Sequence, residues 1–205
     1  MPDQAGAGAA ASSDRAGSSD RVASAPPVLE ARPGSVALLA DRARAASTGA
    51  HRRAVVLIDG RSGTGKTTLG QALAAALGAQ LVHLDDVYPG WDGLSAAASA
   101  VVHDVLGTPS GYRRWDWERS EPAAWVAVDP NAPIVVEGCG ALSRAAAPLA
   151  TFRIWMVTDD AERRRRAIDR DGAVFAAQWD RWAGQEDSFI AAEDPSSMAD
   201  VVVRS

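Results

Sequence analysis

The chain has 205 residues, 21 basic and 26 acidic, with a formal net charge of −5. Twenty of the basic residues are arginine and one, Lys66, is lysine. The acidic balance opposes a nucleic-acid or anionic-membrane partner, since both need a basic face. A single lysine excludes functions that need two in fixed roles, such as the protein-kinase arrangement or the GTPase signature Asn-Lys-x-Asp, because Lys66 is committed elsewhere.

Alanine accounts for 43 residues, so the 47% hydrophobic fraction overstates the core, and what remains suits one domain. The one cysteine, Cys139, cannot form an internal disulfide. No apolar run approaches the roughly 18 residues of a membrane span, and the N-terminus lacks the apolar stretch of a secretory signal. The expected location is the cytoplasm.

Residues 1–28 are nearly all Ala, Gly, Ser, Asp, Arg and Pro and read as a disordered tail ahead of a single domain over 29–205. The spacing of Val36, Leu38 and Leu39 predicts a short helix over 35–46 with Ser35 as its N-cap. Continuous apolar runs then alternate with helical patterns, the signature of strands buried on both faces and joined by crossover helices. The runs are Ala54 to Ile58, Leu81 to Leu84, Ile134 to Val136, Ile154 to Val157 and Val201 to Val203. Helices are expected over 66–77, 94–106, 161–170 and 173–192. A substrate-side insertion over about 89–130 separates the second and third runs, and a lid is expected over about 159–172.

Residues Gly60-Arg61-Ser62-Gly63-Thr64-Gly65-Lys66-Thr67 satisfy the phosphate-loop pattern Gly-x4-Gly-Lys-Ser/Thr in full. The loop follows a strand and opens a helix, so backbone N–H groups and the positive helix end converge on one point. With Thr68 alongside, these residues form the expected ATP site. Lys66 bridges the β- and γ-phosphates, and the Thr67 hydroxyl binds Mg²⁺.

The second run ends in Asp85 and Asp86, at the end of a strand that should neighbour the first, where a phosphoryl acceptor would lie. A kinase acting on a hydroxyl needs a carboxylate to take its proton and an acid near Mg²⁺; either aspartate could serve, or one could merely cap the turn before Pro89. Glu137, at the end of the third run, is placed to reach the metal's water shell or the acceptor; the competing reading is a helix-start acid. Thr67, Asp85 and Glu137 make up the expected metal set.

At 100° per residue Arg163, Arg166 and Arg170 fall within a sector of about 60° on one helix, where three guanidiniums can close over transferring phosphates. The alternatives are a solvated face paired with Asp159, Asp160 and Glu162, or a basic targeting patch. The segment Tyr112, Arg113, Arg114, Trp115, Asp116, Trp117 suits a pocket that stacks a planar ring, and equally a surface hairpin packed by its own tryptophans. Tyr88 and Asp86 join it as candidate substrate contacts. Cys139 reads as a small buried side chain, His83 and His103 as core or helix-face residues, and Trp179 and Trp182 as core packing.

With those residues in hand, the chain resembles the uridine kinase and phosphoribulokinase branch of small P-loop kinases, from about Val55 to Val203. The phosphate loop carries most of the likeness. Asp85-Asp86-Val87-Tyr88 is similar to the family's Asp-Ser-Phe-Tyr, Val135-Val136-Glu137-Gly138 to its Glu-Gly pair, and Arg163, Arg166, Arg170 and Asp171 to its lid spacing. Pro89-Gly90-Trp91-Asp92-Gly93 and the Tyr112 to Trp117 segment depart from it. The resemblance implies a three-layer α/β/α fold with a five-stranded parallel sheet ordered 2-3-1-4-5, ATP and Mg²⁺ as cofactors, Asp85 as the acceptor-side base, and a small-molecule acceptor, first of all a nucleoside. A nucleoside monophosphate kinase and a sugar or antibiotic kinase are the near alternatives; an ATP-binding switch with no small acceptor is the distant one.

Overall fold

The computed structural model describes residues 25–48 and 53–205. The disordered tail expected over 1–28 lies, as far as residue 24, outside the described residues. Eight strands and five helices follow in chain order: β1 (Val28–Glu30), α1 (Ser35–Ala46), β2 (Val55–Gly60), α2 (Lys66–Leu77), β3 (Gln80–His83), α3 (Leu94–Ala100), β4 (Gly111–Asp116), β5 (Glu121–Ala127), β6 (Ile134–Glu137), β7 (Phe152–Val157), α4 (Asp160–Glu193), α5 (Pro195–Met198) and β8 (Val201–Arg204). Six strands form one parallel sheet in the order β1-β8-β7-β2-β6-β3. The five strands β3-β6-β2-β7-β8 reproduce the expected order 2-3-1-4-5, and β1 adds a sixth strand beside β8.

The apolar runs are continuous because both faces of the sheet are covered. Val55 and Leu57 of β2, Ile134 and Val136 of β6 and Trp155 of β7 pack on one side with α3 and α4. The alternate residues Val56, Ile58, Val135, Ile154 and Met156 pack on the other with Leu39 of α1 and Leu69 and Leu73 of α2. Period-two alternation thus divides one run between two cores. In-register pairing of Ile58 and His83 with Glu137, and of Gly60 with Met156, brings the carboxyl ends of four strands to one level. Ligands of open α/β sheets bind along such an edge.

Three local outcomes differ from expectation. Val28 pairs with Val202 in β1, so strand pairing begins at the last residue assigned to the tail. Ser35 is not the N-cap of α1; Gly34 is, and the Ser35 hydroxyl instead accepts the Arg32 N–H at 2.9 Å and donates to the Glu30 carbonyl at 3.1 Å. The helix expected over 94–106 is α-helical only to Ala100 and continues as a π-turn over Val101–Val105. Between α3 and β6 the insertion folds into the antiparallel hairpin β4-β5.

Helix α4 begins at an Asp159 side chain that accepts the N–H groups of Ala161 and Glu162. It is broken at Gly172, whose φ of 70° and ψ of −154° belong to a region that is essentially glycine's alone. The break separates the arginine-rich first half from a second half whose buried stripe is Phe175, Trp179, Trp182 and Glu186. Those spacings of four, three and four turn one face toward the sheet edge.

Candidate active site

The loop 60–67 joins β2 to α2 at the sheet edge. Its glycines are fixed by close neighbours: a Cβ on Gly60 would lie 2.5 Å from the Met156 carbonyl oxygen, and one on Gly63 would lie 1.9 Å from that of Arg163. The start of α4 therefore rests directly on the loop. Ser62 donates its N–H to the Glu186 carboxylate at 2.8 Å, so the loop already holds an anionic oxygen. Lys66 is buried, and its ammonium donates to the Arg61 carbonyl at 3.0 Å. Burial opposes that charge, but the negative groups around it, Glu137, Glu186 and Asp59 among them, hold its pKa above the ordinary value. Thr67 is half-buried and Thr68 exposed on the first turn of α2, whose leading N–H groups have no intrahelical acceptor. A converging set of N–H donors with one buried ammonium fits the phosphates of a nucleotide.

Asp59, the penultimate residue of β2, was not foreseen. Its carboxylate accepts the N–H groups of Gly60 at 2.6 Å, Gly140 at 3.1 Å and Leu142 at 2.8 Å, tying the phosphate loop to the turn after β6. Burial pushes its pKa up to about 6 against those bonds and Lys66.

A cavity of about 340 Å³ opens from Ser62. Asp85 and Arg170 line it together with the aromatic side chains of Tyr88, Trp91, Trp117, Phe175 and Trp182. Asp85 is exposed at the cavity, yet the protein around it still desolvates its carboxylate in part. That desolvation, with Glu137 nearby, raises its pKa against the pull of Lys66 and Arg170. Trp91 is the hub of the aromatic wall, with ring centroids 5.0 Å from Trp117, 5.8 Å from Phe175 and 6.4 Å from Trp182. Tyr88 packs edge-on against Trp182 and donates its hydroxyl to the Cys139 carbonyl at 2.9 Å, while the Trp117 indole donates to the Asp85 carbonyl at 2.8 Å.

The remaining candidates separate. Glu137 is buried and hydrogen-bonded to His83 at 2.6 Å, so His83 serves this carboxylate rather than the core. Among the described residues no cluster of three His, Cys, Asp or Glu side chains is placed to hold a metal ion. Asp86 turns outward to Arg114, 3.3 Å away. Arg113 donates to the Ala123 carbonyl and lies 6.0 Å from the Trp125 ring, on the hairpin itself. Tyr112 is buried in the core, and Asp116 accepts the N–H groups of Glu118 and Arg119 in the hairpin turn. Trp115 is half-buried, and its indole N–H has no partner. Of the aromatic segment, Trp117 is the residue that reaches the cavity.

The three arginines share a face but reach different places, because each meets a different neighbour. Arg163 is buried behind the loop, donating to Asp160 at 2.6 Å, with its guanidinium 3.6 Å from Glu186 and 5.1 Å from the Trp179 ring. Arg166 donates to Glu162 at 2.7 Å and to the Ser205 hydroxyl at 3.3 Å, on the far side of the loop. Arg170 lines the cavity and is held by both oxygens of Asp171.

Trp179 and Trp182 are both buried in the core, as expected, and Trp182 also lines the cavity. Glu186 was missed altogether, though its place in an otherwise aromatic stripe was a readable signal: a charge on a buried face needs a partner. Cys139 is buried as expected, its thiol pushed up to about 12 by burial, and it donates toward Glu186 at 3.3 Å.

No protein-family model matches the chain, and no curated protein matches it in sequence. Solved structures do. A possible uridine kinase from Bacillus stearothermophilus aligns at a TM-score of 0.55 and 21% identity, over 82% of this chain and 96% of that one. A protein from Silicibacter sp. TM1040, provisionally described as a fructose transport system kinase, aligns at 0.51 and 19%, over 82% and 98%. No helix among the described residues is long and apolar enough to cross a membrane. The chain thus has the three-layer α/β/α fold of these two proteins, built around a phosphate loop.

Proposed function

We propose that the chain is an ATP- and Mg²⁺-dependent phosphotransferase that moves the γ-phosphoryl group to a hydroxyl of a small molecule. The observation that carries this reading is the cavity running from Ser62 of the phosphate loop past Asp85 to an aromatic wall. It offers a binding space for an acceptor, lined by a carboxylate and by Ser62 of the phosphate loop. Both solved neighbours are described as kinases, which supports the same class.

In this mechanism the loop N–H groups and Lys66 hold the phosphates in line with the acceptor, and Asp85 orients the hydroxyl and takes its proton as the new P–O bond forms. The raised pKa of Asp85 makes it a better base than a carboxylate at its ordinary value. Arg170, also at the cavity, steadies charge on the transferred group. Mg²⁺, when bound, neutralises the β- and γ-oxygens; Thr67, with Asp85 and Glu137 acting through water, would hold it, because this ion keeps several waters and takes few protein ligands.

The lining also bears on the acceptor. A phosphorylated acceptor needs cations of its own, yet Arg113 and Arg114 are engaged elsewhere and Arg170, the one arginine lining the cavity, is already given to the transferred group. That disfavours a nucleoside monophosphate kinase. Five aromatic side chains favour an unphosphorylated alcohol with a flat face, of which a nucleoside is the class implied by the resemblance.

The test is acceptor-dependent ADP release across nucleosides, nucleotides and sugars. An unphosphorylated ring-bearing alcohol should raise the rate, Lys66→Ala should abolish transfer, and Asp85→Asn should lower turnover by roughly 10²–10⁴ while ATP still binds. Slow hydrolysis unaffected by any acceptor or by Asp85→Asn would replace this reading with an ATP-binding switch.

A further inference from the structure

The charged groups lining the aromatic cavity are two carboxylates, Asp85 and Asp171, and one guanidinium, Arg170. Both oxygens of Asp171 accept from Arg170, each at 2.7 Å, so the charges of this pair cancel. When Arg170 steadies the transferred phosphoryl group and Lys66 holds the nucleotide, that balance is lost. Asp171 is then a carboxylate short of its partner, and its side chain, 33% exposed, lies within reach of a ligand in the cavity.

We propose that the acceptor carries a positively charged nitrogen as well as its hydroxyl, and that Asp171 and the aromatic wall together select it. The inference rests on the phosphotransferase reading and narrows its acceptor to alcohols bearing an ammonium group. The field of the loaded site is negative, with the γ-phosphate at the Ser62 end and the carboxylates of Asp85 and Asp171 along the lining. The two carboxylates feel one another: after burial and Glu137, the Asp171 charge also raises the pKa of Asp85. An anionic acceptor is repelled by this field and a neutral one gains nothing from it. A cationic one brings its hydroxyl to Asp85 and gives Asp171 the positive partner that Arg170 withdraws.

The aromatic wall suits such a group for two further reasons. The polar ends of two of its members are already used, the Tyr88 hydroxyl by the Cys139 carbonyl and the Trp117 indole N–H by the Asp85 carbonyl. What these side chains offer the cavity is therefore ring surface, whose negative face attracts cations. Trp91, moreover, is parallel to none of its neighbours, its plane being inclined by 57° to Trp117, 37° to Phe175 and 83° to Trp182. A parallel pair would make a slot for a flat ring. Inclined rings make a corner: a flat ring can lie on one of them, whereas a compact ammonium meets several at once.

The test compares alcohols that differ in charge and little in shape. One pair is choline and dimethylbutanol, in which carbon replaces the quaternary nitrogen; the other is phenylethanolamine and phenylethanediol, in which a hydroxyl replaces the ammonium. Each is titrated into the full chain with magnesium and an ATP analogue whose terminal phosphate cannot be transferred, and binding is read from tryptophan fluorescence, since three tryptophans line the cavity. In both pairs the cation should bind at least about tenfold more tightly than its neutral partner. Asp171→Asn should bring that preference to within about threefold, and Asp171→Glu, which keeps the charge, should retain it. Equal affinities within both pairs, or a preference that survives Asp171→Asn, would overturn the inference and leave the phosphotransferase reading in place. If none of the four alcohols binds, the cavity is not an acceptor site and both readings fall.

Discussion

The carboxylate of Glu186 accepts the backbone N–H of Ser62 at 2.8 Å, joining the last part of α4 to a loop 124 residues earlier. Its second oxygen lies 3.6 Å from Arg163 and 3.8 Å from Arg61, near enough for ion pairing and too far for a hydrogen bond, so that oxygen and the facing Arg163 nitrogen are both buried without hydrogen-bond partners. Such a pair is costly to break from one side but gains little from its own geometry. It also places a negative charge on a loop whose donors suit phosphate.

Glu186→Gln keeps an acceptor for the Ser62 N–H and removes the charge. Two effects of opposite sign should follow. Stability in denaturant melts should fall by about 2–3 kcal/mol, less than the full loss of a buried pair because Asp160 still holds Arg163. ATP affinity should rise several-fold, because like-charge repulsion beside the γ-phosphate is gone. Unchanged stability together with weaker ATP binding would contradict this account of the contact.

Much of this was legible in the chain because local and global signals agreed. The buried strands announced themselves as apolar runs, and Gly172 separates the two helical patterns where α4 breaks. What was not legible depended on partners. Val28–Glu30 is three residues long and becomes a strand only against β8. Glu121–Ala127 carries a proline and three alanines, poor strand formers, and pairs because β4 lies opposite. The common face of Arg163, Arg166 and Arg170 followed from helical geometry, but their destinations depended on Glu186, Ser205 and Asp171. Periodicity likewise put Trp179 and Trp182 on one buried face and could not say that only Trp182 borders a cavity.

Trp117 separates acceptor binding from nucleotide binding. It is 38% exposed, packs on Trp91 and donates its indole N–H to the Asp85 carbonyl, yet it belongs to the β4-β5 turn and not to the core. Trp117→Ala should therefore cost little stability. It should raise KM for the acceptor about tenfold, the order of one lost ring–ring contact plus its buried area, with ATP affinity unchanged. Trp117→Phe should recover most of the loss, since the face remains. Equal losses for the Ala and Phe variants would instead assign the effect to the hydrogen bond that positions Asp85.

Asp59 should leave a signature in the pH dependence of stability. Its carboxyl, 1% exposed, titrates near 6 in the folded chain against 3.8 without burial. Between those values the folded state binds more protons than the unfolded state. Its contribution is thus fully present below pH 4 and lost as pH rises through 6, on the order of 3 kcal/mol for a shift of about two pK units. Asp59→Asn removes the titration and, at low pH, replaces a neutral acid with a neutral amide of similar shape. The stability difference between variant and wild type should therefore move toward the variant as pH is raised from 4.5 to 7, measured by urea melts at each pH. Other carboxylates titrate in both proteins and cancel in the difference. Parallel curves would mean that the three N–H donors of Gly60, Gly140 and Leu142 outweigh burial and keep Asp59 ionised throughout.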